Sequence, residues 1–218
     1  MATERISLTY RIVMWIARPI VRWWGRLEVV GEQQLPDGPV LLIANHDSHW
    51  DPVVIGVAGI DRRQIRALAK ASLWKNPAAA RVLDGMGQIP IERGRGDTQA
   101  LSAAIDALQA GSCIGVFPEG TISRGKPLRA LSGVGRLALT VPSARMVGAR
   151  VTGAVDIARF PKRPRIRVAF FEPAGGQAQP GETAIGVSKR VMAEIRSLAP
   201  PTVPGRRKKA ALLQAELD

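Results

Sequence analysis

Val40-Leu41-Leu42-Ile43-Ala44 runs without a break into Asn45-His46-Asp47-Ser48-His49-Trp50-Asp51-Pro52. The first five residues are all apolar, the pattern of a short strand buried on both faces of a parallel sheet. The next stretch holds both histidines of the chain. Asp51-Pro52 then predicts the start of an apolar helix, with Asp51 as its cap and Pro52 in its first turn. Strand, polar loop and helix in succession is the repeating unit of an α/β fold. In such folds ligands gather at the strand ends.

The same rhythm extends to either side. Strand patterns fall at residues 27–30, 65–69, 87–91, 112–117, 146–151 and 166–171, and helical ones at 71–83, 98–110, 134–139 and 183–198. This alternation predicts an α/β domain over residues 27–199, a mostly parallel central sheet flanked by helices. A chain of 218 residues suffices for one such domain with short additions. Residues 200–218 form the rear addition, a Pro-rich linker followed by a basic tail that begins at Arg206.

Residues 1–26 form the front addition. On a helix Arg11, Arg18 and Arg22, seven and four residues apart, share one face. Isoleucines, valines and the tryptophans Trp15, Trp23 and Trp24 supply the rest. Trp and Arg together suit a helix lying in a lipid headgroup layer. Arg11, Trp15, Arg18, Arg22, Trp23 and Trp24 are therefore the expected contacts with an anionic membrane surface, and removing residues 1–26 is expected to release the protein from vesicles. The arginines interrupt the apolar run, which fits neither a span nor a signal peptide. Pro19 should kink or split the helix. An amphipathic helix packed on the protein's own core remains the alternative.

Thirty-one Lys and Arg against eighteen Asp and Glu give a formal charge of +13. Such an excess favours anionic partners. Nucleic acid is not expected among them, because the basic residues are dispersed, no recognised motif is present, and aromatics are few outside the N-terminal segment. A basic binding module without catalysis would also leave the histidine cluster unexplained. Cys113 stands alone, so no intrachain disulfide can form, and its apolar neighbours place it in a strand.

Three strand ends carry residues suited to chemistry. At the first, His46 is a candidate general base, and Asp51, five residues on, could hold its imidazole in one tautomer. The structural alternative makes Asp51 a cap alone and His49 a surface neighbour of Trp50. A metal set of His46, His49 and Asp51 would need further carboxylates. The second strand end, Gly87-Gln88-Ile89-Pro90-Ile91-Glu92-Arg93, delivers Arg93 into a glycine-rich loop, and a guanidinium fork suits phosphate. The third, Phe117-Pro118-Glu119-Gly120-Thr121-Ile122-Ser123-Arg124-Gly125-Lys126, offers a carboxylate, two hydroxyls and two cations among glycines that let a ligand approach the backbone.

In order and spacing these segments resemble the glycerophospholipid acyltransferase family, which includes the 1-acylglycerol-3-phosphate acyltransferases. Asn45, His46, Ser48 and Asp51 match its Asn-His-x-Ser-x-x-Asp motif. Gly87, Ile89, Pro90, Ile91 and Arg93 match the second motif, with Glu92 where Asp is common. Phe117, Pro118, Glu119, Gly120, Thr121 and Ser123 match Phe-Pro-Glu-Gly-Thr-Arg-Ser, with Ile122 in place of the Arg. Lys70 and Leu73 also fall where the family often has Lys and Leu. Gly148 stands where the fourth motif has Pro. The resemblance covers roughly residues 27–155.

The resemblance implies that His46, oriented by Asp51, deprotonates a lipid hydroxyl that attacks an acyl thioester directly. It assigns Asn45, Ser48, Arg93, Glu119, Gly120, Thr121, Ser123 and Arg124 to substrate, with Arg93 on the acceptor's phosphate and Arg124 inheriting the role of the missing Arg. The donor would be acyl-CoA or acyl carrier protein, and the acceptor a lysophospholipid. No metal, cofactor or acyl-enzyme is implied. The expected location is peripheral, on the cytoplasmic face of the cell membrane. The same fold acting on another lysophospholipid or lipid-linked acceptor is the alternative that Ile122 and Gly148 raise.

Overall fold

The computed structural model describes residues 5–92, 97–161 and 163–205. Arg93 and the basic tail beginning at Arg206 lie outside these residues. Seven strands form one sheet: β1 (Glu28–Val30), β2 (Val40–Ala44), β3 (Ile65–Lys70), β4 (Ile89–Ile91), β5 (Cys113–Val116), β6 (Arg145–Thr152) and β7 (Arg167–Phe171). Their order is β1-β7-β6-β2-β5-β3-β4, and β6–β7 is the one antiparallel pair. The helices are α1 (Leu8–Arg18), α2 (Asp51–Gly59), α3 (Pro77–Gly85), α4 (Thr98–Gln109), α5 (Gly133–Thr140) and α6 (Ala184–Leu198). The expected mostly parallel α/β architecture is therefore the observed one.

All five residues of β2 are buried, and their alternation divides the core. Val40, Leu42 and Ala44 meet α1 and α2 on one face, through Tyr10, Met14 and Val54 among others. Leu41 and Ile43 meet α4, α5 and α6 on the other, through Ala104, Leu137 and Val191. Each large apolar side chain so buried contributes roughly 1.5–3 kcal/mol. Because β2 lies at the centre, the loop that follows it is anchored on both sides.

Two local expectations are corrected. Residues 71–83 are not one helix: Ala71–Lys75 makes a tight 3-10 turn, and α3 starts anew at Pro77. A residue before proline avoids the helical region, and Asn76 is extended while its side chain accepts from the Ala78 and Ala79 amides, a capping arrangement. Asp51 does not cap α2. Trp50 occupies that position, and Asp51, the first helical residue, turns its carboxylate back onto the preceding loop. At Pro19 the N-terminal helix divides as expected: α1 ends at Arg18, and the proline, lacking an N–H, begins a wider π-helical stretch, Pro19–Trp24, closed by bonds such as Gly25 N–H to Ile20 C=O at 2.9 Å.

One face of residues 5–26 packs on the domain. Tyr10, Met14, Ala17 and Val21 are buried in the core with β2 and α2, and Ser7 caps α1 while donating its hydroxyl to Gly85. Removing the segment would uncover the sheet. The opposite face remains bare, with Leu8, Trp15 and Trp23 each at least 70% exposed. No described helix is long and apolar enough to cross a membrane.

Candidate active site

The chain leaves β2 toward α2 on one face of the sheet and leaves β5 toward α5 on the other. A crevice opens where neighbouring strands send their connections to opposite faces, and the ends of β2 and β5 meet there. His46 follows the first strand, and Phe117 to Ser123 follow the second.

His46 is buried, with its ring stacked on Phe117 at a centroid distance of 4.3 Å. Its Nδ1 lies 3.1 Å from Asp51 Oδ2. The same oxygen accepts the backbone N–H groups of Asp47 and Ser48, both at 2.7 Å. Burial raises the Asp51 carboxyl above its ordinary pKa, opposed by hydrogen bonds from the His46 ring and from the Ser48 and Asp47 amides. With Nδ1 committed to Asp51, Nε2 is the ring nitrogen left to take a proton from a ligand in the groove.

Behind the histidine lies a second polar assembly. His46 N–H donates to Glu119 Oε2 at 3.1 Å, and His46 C=O accepts Ser123 N–H at 2.8 Å. The Asn45 amide exchanges both bonds with the Val151 backbone on β6, at 2.8 and 2.9 Å. Ser123 Oγ donates to Asp47. Arg196, from α6, bridges Glu119 and Asp47.

In front of His46 opens a groove of about 950 Å³. Its polar end includes Asp47, Ser48, Lys70, Thr121 and Arg124, and its apolar depth is walled by Met14, Leu42, Ile65, Met86 and Gly115. Thr202, Val203 and Pro204 also line it, so the segment expected to be a linker crosses the site. Gly205 N–H fastens that segment to Asp156 at 2.7 Å.

His46 and Asp51 thus come together as the sequence predicts, and Ser48, Thr121 and Arg124 reach the groove. Asn45, Glu119, Gly120 and Ser123 do not line it. The first, second and last of these are spent on holding the loops, and Gly120 supplies a left-handed turn (φ 66°) that a Cβ would strain. Ile122 lines the groove where a cation would be usual, and Arg124 holds the left-handed conformation (φ 53°) beside it. Gly148 has a local cause: a Cβ there would run into the Phe171 ring, which stacks under Arg150. Of the N-terminal residues, Trp24 turns inward to donate to Ile157 C=O at 2.7 Å, and Arg18 and Arg22 share Asp61. Arg11 is exposed. Among the described residues no three His, Cys, Asp or Glu side chains converge as a metal ion would require.

Sequence reasoning missed Asp47 and Arg196. The second left a signal, since Ser188, Met192 and Arg196 follow four-residue spacing and the first two lie on the buried face of α6. A cation continuing an inward row must find an acidic partner inside.

The chain is 29% identical over 154 residues to the 1-acyl-sn-glycerol-3-phosphate acyltransferase of Bacillus subtilis, an alignment spanning 70% of this chain and 66% of that protein. It is 31% identical over 122 residues to the lyso-ornithine lipid O-acyltransferase of Pseudomonas aeruginosa, covering 52% of this chain and 46% of the relative. The chain therefore spans about half to two thirds of the length of these curated relatives. Among solved structures, the 1-acyl-sn-glycerophosphate acyltransferase PlsC of Thermotoga maritima superposes with a TM-score of 0.68 at 19% identity, over 87% of this chain and 78% of that one, which shows a shared fold. The acyltransferase family profile matches residues 26–165, well over half of the chain and inclusive of all three strand-end segments; the chain belongs to the acyltransferase family.

Proposed function

We propose that the protein transfers a fatty acyl group from a thioester, acyl-CoA or acyl carrier protein, to the free hydroxyl of 1-acyl-sn-glycerol-3-phosphate, giving phosphatidic acid. The observation that carries this reading is the His46–Asp51 pair at a central strand end, facing a groove that is cationic at its mouth and apolar in its depth. His46 Nε2 accepts the hydroxyl proton as the oxygen attacks the thioester carbonyl. Asp51 holds Nδ1–H and stabilises the imidazolium. The tetrahedral intermediate then expels the thiolate, which recovers the proton, leaving an ester and a free thiol. The Lys70 and Arg124 cations in the groove wall suit an acidic headgroup, as does Arg93, which follows Ile91 and Glu92 in the sequence, and the apolar depth suits an acyl chain.

The acceptor lipid lives at a bilayer, and the bare row of Leu8, Ile12, Trp15, Ile16 and Trp23 is suited to meet it at the cytoplasmic face without spanning it. Acyl transfer from radiolabelled acyl-CoA to 1-acylglycerol-3-phosphate in vesicles, wild type against His46→Ala, tests the reading. Turnover should fall on the order of 10²- to 10⁴-fold with the melting temperature kept. Equal rates would remove His46 as the base.

A second reading keeps the reaction and changes the acceptor. Ile122 places an apolar side chain in the groove where the family's usual Arg would meet a phosphate, and one relative acts on a lyso-ornithine lipid. Transfer to a lysolipid without a phosphate, faster than to 1-acylglycerol-3-phosphate, would select this acceptor class.

A further inference from the structure

Arg196 lies beyond residues 26–165, the stretch matched by the family profile, yet it reaches the groups that hold His46. Its Nε and Nη2 donate to Glu119 Oε1 at 2.9 and 2.7 Å, and Nη2 also meets Oε2 at 2.5 Å. Nη1 donates to Asp47 Oδ2 at 2.9 Å and Oδ1 at 3.1 Å, and to Ala199 C=O at 3.1 Å. The Glu119 side chain is 1% exposed and that of Asp47 5%. Two carboxylates so placed repel each other unless a cation stands between them, and a planar guanidinium can satisfy both at once where an ammonium cannot.

Each carboxylate then passes its position to the histidine. Glu119 Oε2 takes the His46 N–H, and Asp47, the next residue in the chain, takes the Ser123 hydroxyl. Ser123 in turn donates its N–H to His46 C=O. Both backbone groups of His46 are thus fixed by residues that Arg196 anchors, and neither Arg196 nor Glu119 lines the groove. We propose that Arg196 is a positioning residue, which through Glu119 and Asp47 fixes His46 in the orientation needed to abstract the acceptor's proton. The proposal rests on the reading of His46 as base, but its geometry can be read without turnover.

The test uses the full chain, ¹⁵N-labelled at histidine, with the two histidines assigned by comparison with His49→Gln. Arg196→Ala should shift or broaden the His46 ring resonances. It should lower kcat by about 10²-fold with little change in acceptor KM, because small misplacements of a reacting group cost on that scale. Millimolar guanidinium should restore part of both signals. Unchanged His46 resonances with unchanged kcat would overturn the proposal. So would a rise in KM at constant kcat, which would make Arg196 a substrate contact. Should Arg196→Ala not fold, Arg196→Lys keeps the charge and loses the fork, and wild-type kcat and resonances in that variant also overturn it. If wild type transfers no acyl group to any acceptor, the proposed function fails, and the His46 resonances alone still decide for or against Arg196.

Discussion

Behind His46, Asn45, Asp47, Glu119, Ser123 and Arg196 bond to one another and to backbone groups, drawn together from β2, β5, β6 and α6. In front of it, Ser48, Lys70, Thr121 and Arg124 are spread along the groove wall, arriving from the loop after β2, the end of β3 and the loop after β5. The rear assembly is closed on itself except at Asp47, which also reaches the groove, and the front one presents its chemistry to whatever enters. Motif residues that look alike in sequence therefore serve different ends. Changes at the rear should move stability and kcat, whereas changes at the front should move KM.

The sharpest break of that division is Asp51→Asn, the rear residue that touches the base. An amide oxygen can take over all three bonds of Asp51 Oδ2, from the Asp47 and Ser48 N–H groups and the His46 ring, but it lacks the negative charge that stabilises the imidazolium. Turnover should fall on the order of 10²- to 10⁴-fold. Stability should not fall with it. Burial raises the Asp51 carboxyl in the folded state, so folding binds its proton more tightly than the unfolded chain does. The contribution to stability is then full below the ordinary carboxylate range and is lost as pH rises through the raised folded value. Thermal melts should accordingly show the Asn variant gaining on wild type across that rise. An Asn variant that loses ground to wild type as pH rises would contradict the sign.

Glu119→Ala should act the other way. It leaves Arg196 Nε and Nη2 and the His46 N–H without their acceptor in the interior, and breaking a buried charge network costs about 3–5 kcal/mol, readable as a lowered urea midpoint. At the front, Lys70→Ala should leave that midpoint alone and raise the KM for a phosphate-bearing acceptor about tenfold, the scale of one charge-assisted hydrogen bond. A Lys70 variant that lost stability and kept its KM would place Lys70 with the rear group.

How far the sequence reveals these two groups depends on the range of the interactions. The strands were readable because apolar runs and alternation are local, and the His46–Asp51 pair because five residues of loop and helix start separate them. The break at Asn76-Pro77 was written in the chain and outweighed by the apolar pattern around it. Glu119 and Ser123 look like ligand-binding loop residues until Arg196, 77 positions after Glu119, closes on them. The inward row of α6 announces that Arg196 has an acidic partner, but nothing local says which residue it is. Val203 is similar, because a Pro-rich stretch reads as a linker whether or not it folds back over a groove.

The two faces of α1 give the mildest version of the same contrast. Tyr10 and Met14 face the core, while Trp15 and Trp23 are 74% and 70% exposed on the N-terminal helical segment. Met14→Ala should cost about 2–5 kcal/mol of stability through the cavity it leaves, with vesicle binding per folded molecule unchanged. Trp15→Ser should leave the melt unchanged and Trp23→Ser should cost only the Arg163 contact over its ring, about 0.5–1 kcal/mol, while each weakens binding to anionic vesicles by about 1 kcal/mol, or about fivefold in partitioning. With Arg18 and Arg22 already paired to Asp61, the apolar share of that binding should survive salt while the electrostatic share from the net positive charge is screened. Sedimentation with vesicles at low and high salt separates the two. Binding that vanishes in salt yet ignores both tryptophans would move the contact from the N-terminal helix to the basic surface elsewhere.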